Sequence, residues 1–332
     1  MTRKRVVCIG GGTGQSQLLH GLSRYPLDLT ALVGVTDNGG HSGILRDIFG
    51  IPQVGDIRNC LSSLTDKKNL FSHLLQYRFA KGDLNGVSLG NLLVVALIEM
   101  KGSLSAGIRA LGKELGVKHT ILPVSDHSTQ ICARLTNGTT IRGEWEILQR
   151  KPRIPIKKVF HQPKVDALPQ ALTAIRKADL IVFCPGSFLT AIVSAILPRG
   201  FQEALKASRA KKVLIGNIMT NPGQTDKFTA RDHLETFSDY LGFPPDIYVV
   251  NTGVIPPAWL RPYKKQGASP VKIDLDTVTG VKILRRNLVE PEKKDVFGHY
   301  LRSGDWSRQA LHLIRHDPAK IARILNSLVK SG

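Results

Sequence analysis

The sequence predicts an α/β protein, a Rossmann-like three-layer sandwich with a mainly parallel sheet and a small antiparallel excursion. Short apolar runs alternate with helical patterns in both halves of the chain, and four of those runs end directly in polar loops rich in small residues. Between 117 and 160 the rhythm breaks into short alternating segments, which is the texture of an antiparallel unit.

In chain order, the apolar run at 5–9 reads as a buried strand, 14–23 as a helix and 30–36 as a second strand, which makes one β-α-β unit. Helical patterns follow at 56–64, 70–79, 88–99 and 103–115. Asn137-Gly138 lies between two alternating runs and signals a tight hairpin. A Pro-rich basic stretch at 151–163 leads back to strands at 180–184, 212–217 and 247–251, separated by helices at about 190–196, 200–208 and 229–241. Asp317 and Pro318 have the characters of an N-cap and a first helical residue, so a final helix opens there. No internal repeat or low-complexity tract divides the chain, and residues 1–332 are expected to form one unit with a β-rich excursion at about 117–160.

Composition excludes several classes. The 332 residues are 42% hydrophobic and only 6% aromatic, enough for a sizeable core and unlike a disordered or fibrous chain. The apolar run Val6 to Ile9 is too short for the core of an export signal, and the stretch that begins at Leu92 is closed by Lys101, so neither export nor membrane crossing is expected. The four cysteines (Cys8, Cys60, Cys132 and Cys184) are far apart, which fits reduced thiols packed as small hydrophobes and points to a cytoplasmic protein. Lys and Arg number 46 against 26 Asp and Glu, a net charge of +20 that suits an acidic ligand. The basic residues are scattered and lack interleaved aromatics, so a nucleic-acid partner is not expected.

The chemistry is expected in the loops. The first strand runs into Gly10-Gly11-Gly12-Thr13-Gly14 and then a helix, where a phosphate can meet bare backbone N–H groups and the positive end of the helix dipole. The dinucleotide fingerprint is not met, because Gln15 stands at the third glycine position and Gly14 comes one place early; a Walker pattern is absent. The second loop, Asp37-Asn38-Gly39-Gly40-His41-Ser42-Gly43, sets a carboxylate at the end of a strand. Gly55-Asp56-Ile57-Arg58-Asn59 then offers a carboxylate, a guanidinium and an amide at a helix start, with Asp56 also readable as a cap. Pro185-Gly186-Ser187 and the loop from Asn217 through Thr220 to Asp226 follow later strands. Loops after parallel strands open on one sheet edge, so the four that follow strands, at 10–14, 37–43, 185–187 and 217–226, should converge on one crevice. Ser187 lacks the nucleophile-elbow pattern, His41 and His299 read as surface histidines, and His312 with His316 lacks the zinc-protease glutamate; no catalytic residue is assigned.

Eight segments in order, GGGTG at 10–14, DNGGHSG at 37–43, GDIRNCL at 55–61, LLQYRF at 74–79, SLGNL at 88–92, PGSFLT at 185–190, NIMTNPGQTD at 217–226 and IRHDPAKIA at 314–322, resemble the gluconeogenesis factor (YvcK-like) family. That family is similar, more distantly, to 2-phospho-L-lactate transferase (CofD). The resemblance implies a nucleotide-sugar ligand of the UDP-glucose or UDP-N-acetylglucosamine type and a role in cell shape and wall synthesis during gluconeogenic growth. The implied ligand-binding positions are Gly11, Gly12, Thr13, Gly14, Asp37, Asn38, Gly39, Gly40, Asp56, Arg58, Asn59, Asn91, Gly186, Ser187, Asn217, Thr220, Tyr263 and Arg315. By analogy with the transferases, Asp37 and Asp56 match magnesium-binding carboxylates, though Asn38 and His41 stand where the family's second loop is richer in aspartate and serine. A magnesium ion as cofactor, a transferase activity with a nucleotide diphosphate donor, and homo-oligomerisation stay open at this point.

Overall fold

The computed structural model describes residues 3–66, 68–290 and 314–330. The chain opens with β1 (Lys4–Gly10), α1 (Gly12–Leu22) and β2 (Leu27–Val33). Five α-helices follow before the sheet resumes: α2 (Gly40–Phe49), α3 (Gly55–Leu64), α4 (Leu70–Gln76), α5 (Leu89–Lys101) and α6 (Leu104–Glu114); β3 (Thr120–Pro123) comes next. The antiparallel part comprises β4 (Gln130–Leu135), β5 (Thr140–Arg142), α7 (Glu144–Gln149) and β6 (Ile156–Gln162). The second half runs α8 (Pro169–Lys177), β7 (Leu180–Phe183), a π-helical segment at Phe188–Val193, α9 (Phe201–Ala207), β8 (Lys211–Ile215), α10 (Ala230–Leu241) and β9 (Ile247–Asn251). It closes with α11 (Pro257–Lys265), β10 (Lys282–Arg286) and α12 (Pro318–Lys330).

The main sheet has seven strands in the order β10-β9-β8-β7-β1-β2-β3, every pair parallel. Helices cover both faces, which is why β7 is buried along its whole length and β1 from Val6 to Gly10. A second sheet, β5-β4-β6, is antiparallel and carries the expected hairpin, with Gly138 at φ +88° in the turn. The predicted fold class is therefore the observed one.

Local differences have physical reasons. The strand at 120–123 was expected inside the excursion but pairs with β2 in the main sheet, from Thr30↔Thr120 to Val33↔Pro123, so the excursion proper starts at β4. Helix α2 was read as part of a glycine loop; its glycines hide the pattern, and Gly43 is forced, since a Cβ there would lie 2.2 Å from the Asn38 carbonyl oxygen. Gln15, the departure from the dinucleotide fingerprint, is buried and its Nε2 donates to the Cys8 and Leu32 carbonyls at 2.9 and 3.0 Å, tying β1 to β2 under the loop. Asp317 caps α12 as expected, accepting from the Ala319 and Lys320 N–H groups. His316 lies outside that helix, its Nε2 2.9 Å from the Gly216 carbonyl, with its pKa lowered to about 4 by burial. His299, His312 and the His41 side chain lie outside the described residues. Among those residues no single helix is long and apolar enough to cross a membrane.

Candidate functional site

Strand β1 stands between β2 and β7, so the chain winds away from it to one side early and to the other side late. At such a reversal of strand order the neighbouring loops part and leave a crevice at the carboxyl edge. The loops after β1 and β7 meet there: a Cβ on Gly14 would lie 2.1 Å from the Pro185 carbonyl oxygen, so only glycine lets them cross. The loop after β8 joins them through Asn217, whose Nδ2 donates to the Gly186 carbonyl at 2.9 Å.

Helix α1 starts in this crevice without a side-chain cap. Gly12 has φ +72° and its Cβ position faces open space, so the turn presents bare backbone outward. The Gly12 N–H donates to the Asp56 carboxylate. The next N–H groups of the first turn, on Thr13 and Gly14, have no partner within the helix and point the positive end of the dipole toward the opening.

Three carboxylates gather beside that turn. Asp37 ends the run after β2 and accepts from the Gly39 N–H at 2.8 Å. Asp56 stands in the first turn of α3 and its pKa is raised to about 7, by burial first and by the Asp37 charge second. Glu144 opens α7, and its Oε1 accepts from the Thr190 hydroxyl at 2.7 Å. Burial raises Glu144 well above the usual carboxylate range, with Asp37 and Asp56 adding to it, and burial also raises Asp37 against the opposing pull of the Gly39 N–H and Arg46. Crowded acids in a chain of net charge +20 hold more like charge than the site tolerates without a proton or a cation.

Among the described residues no three His, Cys, Asp or Glu side chains converge closely enough to hold a metal by themselves. Magnesium commonly takes one or two protein carboxylates and completes its shell with water and substrate phosphates. The mutual repulsion at Asp37 and Asp56 fits that manner of binding.

The second loop is fixed from the antiparallel side. Asn38 Oδ1 accepts from the Trp145 N–H at 2.8 Å and its Nδ2 donates to Glu146 at 2.9 Å. Arg46 donates to the Asp37 and Thr129 carbonyls at 3.1 and 2.6 Å. The Trp145 ring is 42% exposed and borders Gly39, where a Cβ would lie 3.9 Å from it. Glu144 and Trp145 were absent from the sequence-derived set. The available signal was Trp145 itself, a large ring between two glutamates in a polar turn.

The other expected positions divide. Thr13, Asn59, Gly186 and Ser187 are open to solvent to differing degrees, on the loops and first turns that line the crevice or the cleft beside it. Asn91 is 2% exposed, donates to Ser42 Oγ at 3.3 Å and leaves its Oδ1 buried without a partner. Arg58 was expected to reach a phosphate. Its fork instead donates to the Leu75 carbonyl, Gln76 Oε1 and Ser88 Oγ, each at 3.2 Å, and to Asn59 Oδ1 at 2.7 Å, so it clamps α3 to α4 and α5. Burial, with Arg78 adding to it, lowers Arg58 to about 10. Thr220 is buried and its hydroxyl accepts from the Ser269 N–H at 3.0 Å, a tie between loops. Tyr263 is 2% exposed and its hydroxyl accepts from the Ile314 N–H at 2.7 Å, so the ring is core and has no free face for stacking. Arg315 is exposed, next to the His316 that touches the end of β8.

Comparison with known proteins agrees with this architecture. A family model described as 2-phospho-L-lactate transferase CofD matches residues 6–289. The gluconeogenesis factor of Bacillus subtilis is 38% identical over 334 residues, 99% of each chain. That of Halalkalibacterium halodurans is 42% identical over 277 residues, 82% of this chain and 85% of its own. The crystal structure of a Bacillus halodurans protein matches with a TM-score of 0.88 at 37% identity, covering 97% of this chain and 99% of that one. Sequence and fold thus agree over nearly the full length, and the chain belongs to the CofD family, among its gluconeogenesis factors.

Proposed function

We propose that this protein binds a nucleotide sugar of the UDP-glucose or UDP-N-acetylglucosamine type in the crevice at the carboxyl edge of β1, β2 and β7, and that in the cell it supports cell shape and wall synthesis during growth on gluconeogenic carbon. The observation that carries the reading is the first turn of α1, which has no N-cap side chain, is open at Gly12 and is set at the reversal of strand order. Its free N–H groups suit a diphosphate, and the exposed Trp145 ring beside the second loop suits a base. Asp37 and Asp56 would hold a magnesium ion together with the diphosphate; the ion, when bound, neutralises phosphate charge. The protein's own residues do the rest: backbone N–H groups orient the phosphates, and Asn38 and Arg46 keep the acidic loop in place.

The family's transferase members and the crowded carboxylates favour one second reading, a magnesium-dependent phospholactate-type transferase using a nucleotide diphosphate donor. Titration calorimetry with UDP-glucose and UDP-N-acetylglucosamine, with and without magnesium, tests the first reading, and saturable binding of at least one is expected. Absence of binding under both conditions refutes it. Release of nucleoside monophosphate from a donor in the presence of a deazaflavin acceptor would instead establish the transferase.

A further inference from the structure

An open cleft of about 610 Å³ lies between α1, α3 and α4 and begins at Thr13, in the same first turn that faces the crevice. That volume is within the usual range for small-molecule sites, roughly 300–1,000 Å³. Its described lining holds no Lys, Arg, Asp or Glu, although the chain carries 46 basic and 26 acidic residues. Hydroxyls, carboxamides and imidazoles line it instead, with one phenol, Tyr77. This chemistry does not suit a phosphate, and it does suit a neutral group with many hydroxyls.

Several of these groups have hydrogen-bonding capacity that the fold does not use. Gln17, Ser62, His73 and Tyr77 make no side-chain hydrogen bond to the described residues. Arg58 adds a positioning role. A guanidinium only donates, so Asn59 and Gln76 must turn their oxygens to it, at 2.7 and 3.2 Å. Each amide NH2 is thereby left for the cleft, in a fixed orientation. Tyr77 is 51% exposed and is braced edge-on by Phe79, with ring centroids 5.3 Å apart at 83°, which leaves a ring face for the apolar side of a pyranose.

We propose that this cleft is the carbohydrate subsite of the protein: it receives the neutral, polyhydroxylated sugar of the ligand whose diphosphate lies at the α1 N-terminus. Arg58 acts there through Asn59 and Gln76, which is why its side chain faces away from the phosphates. The inference rests on the nucleotide-sugar reading, and the two are separable by comparing UDP-glucose with UDP.

Calorimetry on the full chain and on Tyr77→Ala and Gln17→Ala tests it. Both side chains are exposed, and equal melting temperatures control for folding. Each variant is expected to lose at least fivefold in affinity for UDP-glucose while binding UDP as the wild type does. Unchanged affinity for UDP-glucose overturns the proposal, and so does an equal loss for UDP, which would assign the cleft to the base. If the wild type binds neither nucleotide, the nucleotide reading falls and saturation-transfer NMR with free glucose and N-acetylglucosamine decides on the cleft. Sugar contacts that vanish in Tyr77→Ala sustain it, and no contact in the wild type overturns it.

Discussion

Asp56→Asn should make the protein more stable at high pH and leave its stability nearly unchanged at low pH. The Asp56 carboxyl is raised from 3.8 to about 7, by burial and then by Asp37, which corresponds to about 4 kcal/mol between the two protonation states. The sign follows from proton binding. Between pH 4 and 7 the unfolded chain ionises this group while the folded chain keeps it neutral, so the unfolded state binds fewer protons and stability falls as pH rises. The full penalty is present above pH 7 and absent below about pH 4. Asparagine never carries the charge, and it keeps an oxygen for the Gly12 N–H, whose preference for the ionised carboxylate is already contained in the raised pKa. The variant should therefore gain about 4 kcal/mol over wild type at pH 8.5 and lie within about 1 kcal/mol of it at pH 4. Urea unfolding at both pH values, in buffer with a chelator to remove divalent ions, measures the difference. A variant-minus-wild-type stability that is the same at both pH values would refute the reasoning, because a purely steric or hydrogen-bonding effect does not titrate.

Neighbouring glycines on the first loop should fail in opposite ways. Gly12→Asp should remain folded, since its Cβ meets nothing within 4 Å, at a cost of roughly 1–2 kcal/mol for the left-handed backbone, yet lose UDP-sugar binding by calorimetry because it sets a charge at the proposed phosphate position. Gly14→Ala should lower the unfolding midpoint: the helix-propensity gain of about 1 kcal/mol is outweighed by a methyl group 2.1 Å from the Pro185 carbonyl, an overpacking cost of about 3 kcal/mol or more. Without magnesium, UDP-sugar affinity should rise as pH falls from 8 to 6, because protonation of Asp56 removes a charge from beside the proposed diphosphate position; an affinity flat with pH would count against the acid cluster being at the ligand. Trp145→Phe should reduce or abolish any quenching of tryptophan fluorescence by UDP, and full quenching in the variant would remove the ring from the base position.

The fold class and the crevice were legible because both depend on local patterns. Apolar runs of strand length ending in glycine loops announce a parallel sheet, and a parallel sheet puts those loops on one edge. The role of Arg58 was not legible. A guanidinium in a short polar segment at a helix start reads as a phosphate ligand, and only the fold reveals that Leu75, Gln76 and Ser88 come within its reach. Tyr263 failed for the same reason, since nothing in a sequence between Pro262 and Lys264 tells that the ring is enclosed by the segment at Ile314. Glu144 was invisible because it comes from the short helix of the antiparallel excursion, more than a hundred residues from Asp37, and only the folded chain brings it to Thr190 and the other two acids.

That long-range contribution gives the antiparallel excursion a purpose within the site. A glycine-rich acidic loop on its own would be mobile, and an ordered diphosphate site needs its charges held at fixed positions. The excursion supplies the constraint from α7 and from the start of β4: Trp145 and Glu146 grip both ends of the Asn38 amide, and the Thr129 carbonyl holds Arg46, which holds the Asp37 carbonyl. The same short helix places Glu144 against Thr190, on the segment after β7. The regions after β2 and after β7, far apart in sequence, are thus tied to one another through the one small excursion. The acid cluster is consequently a rigid construction that keeps its repulsion until a proton or a cation with its anionic ligand relieves it, which is the property expected of a site that waits for a diphosphate.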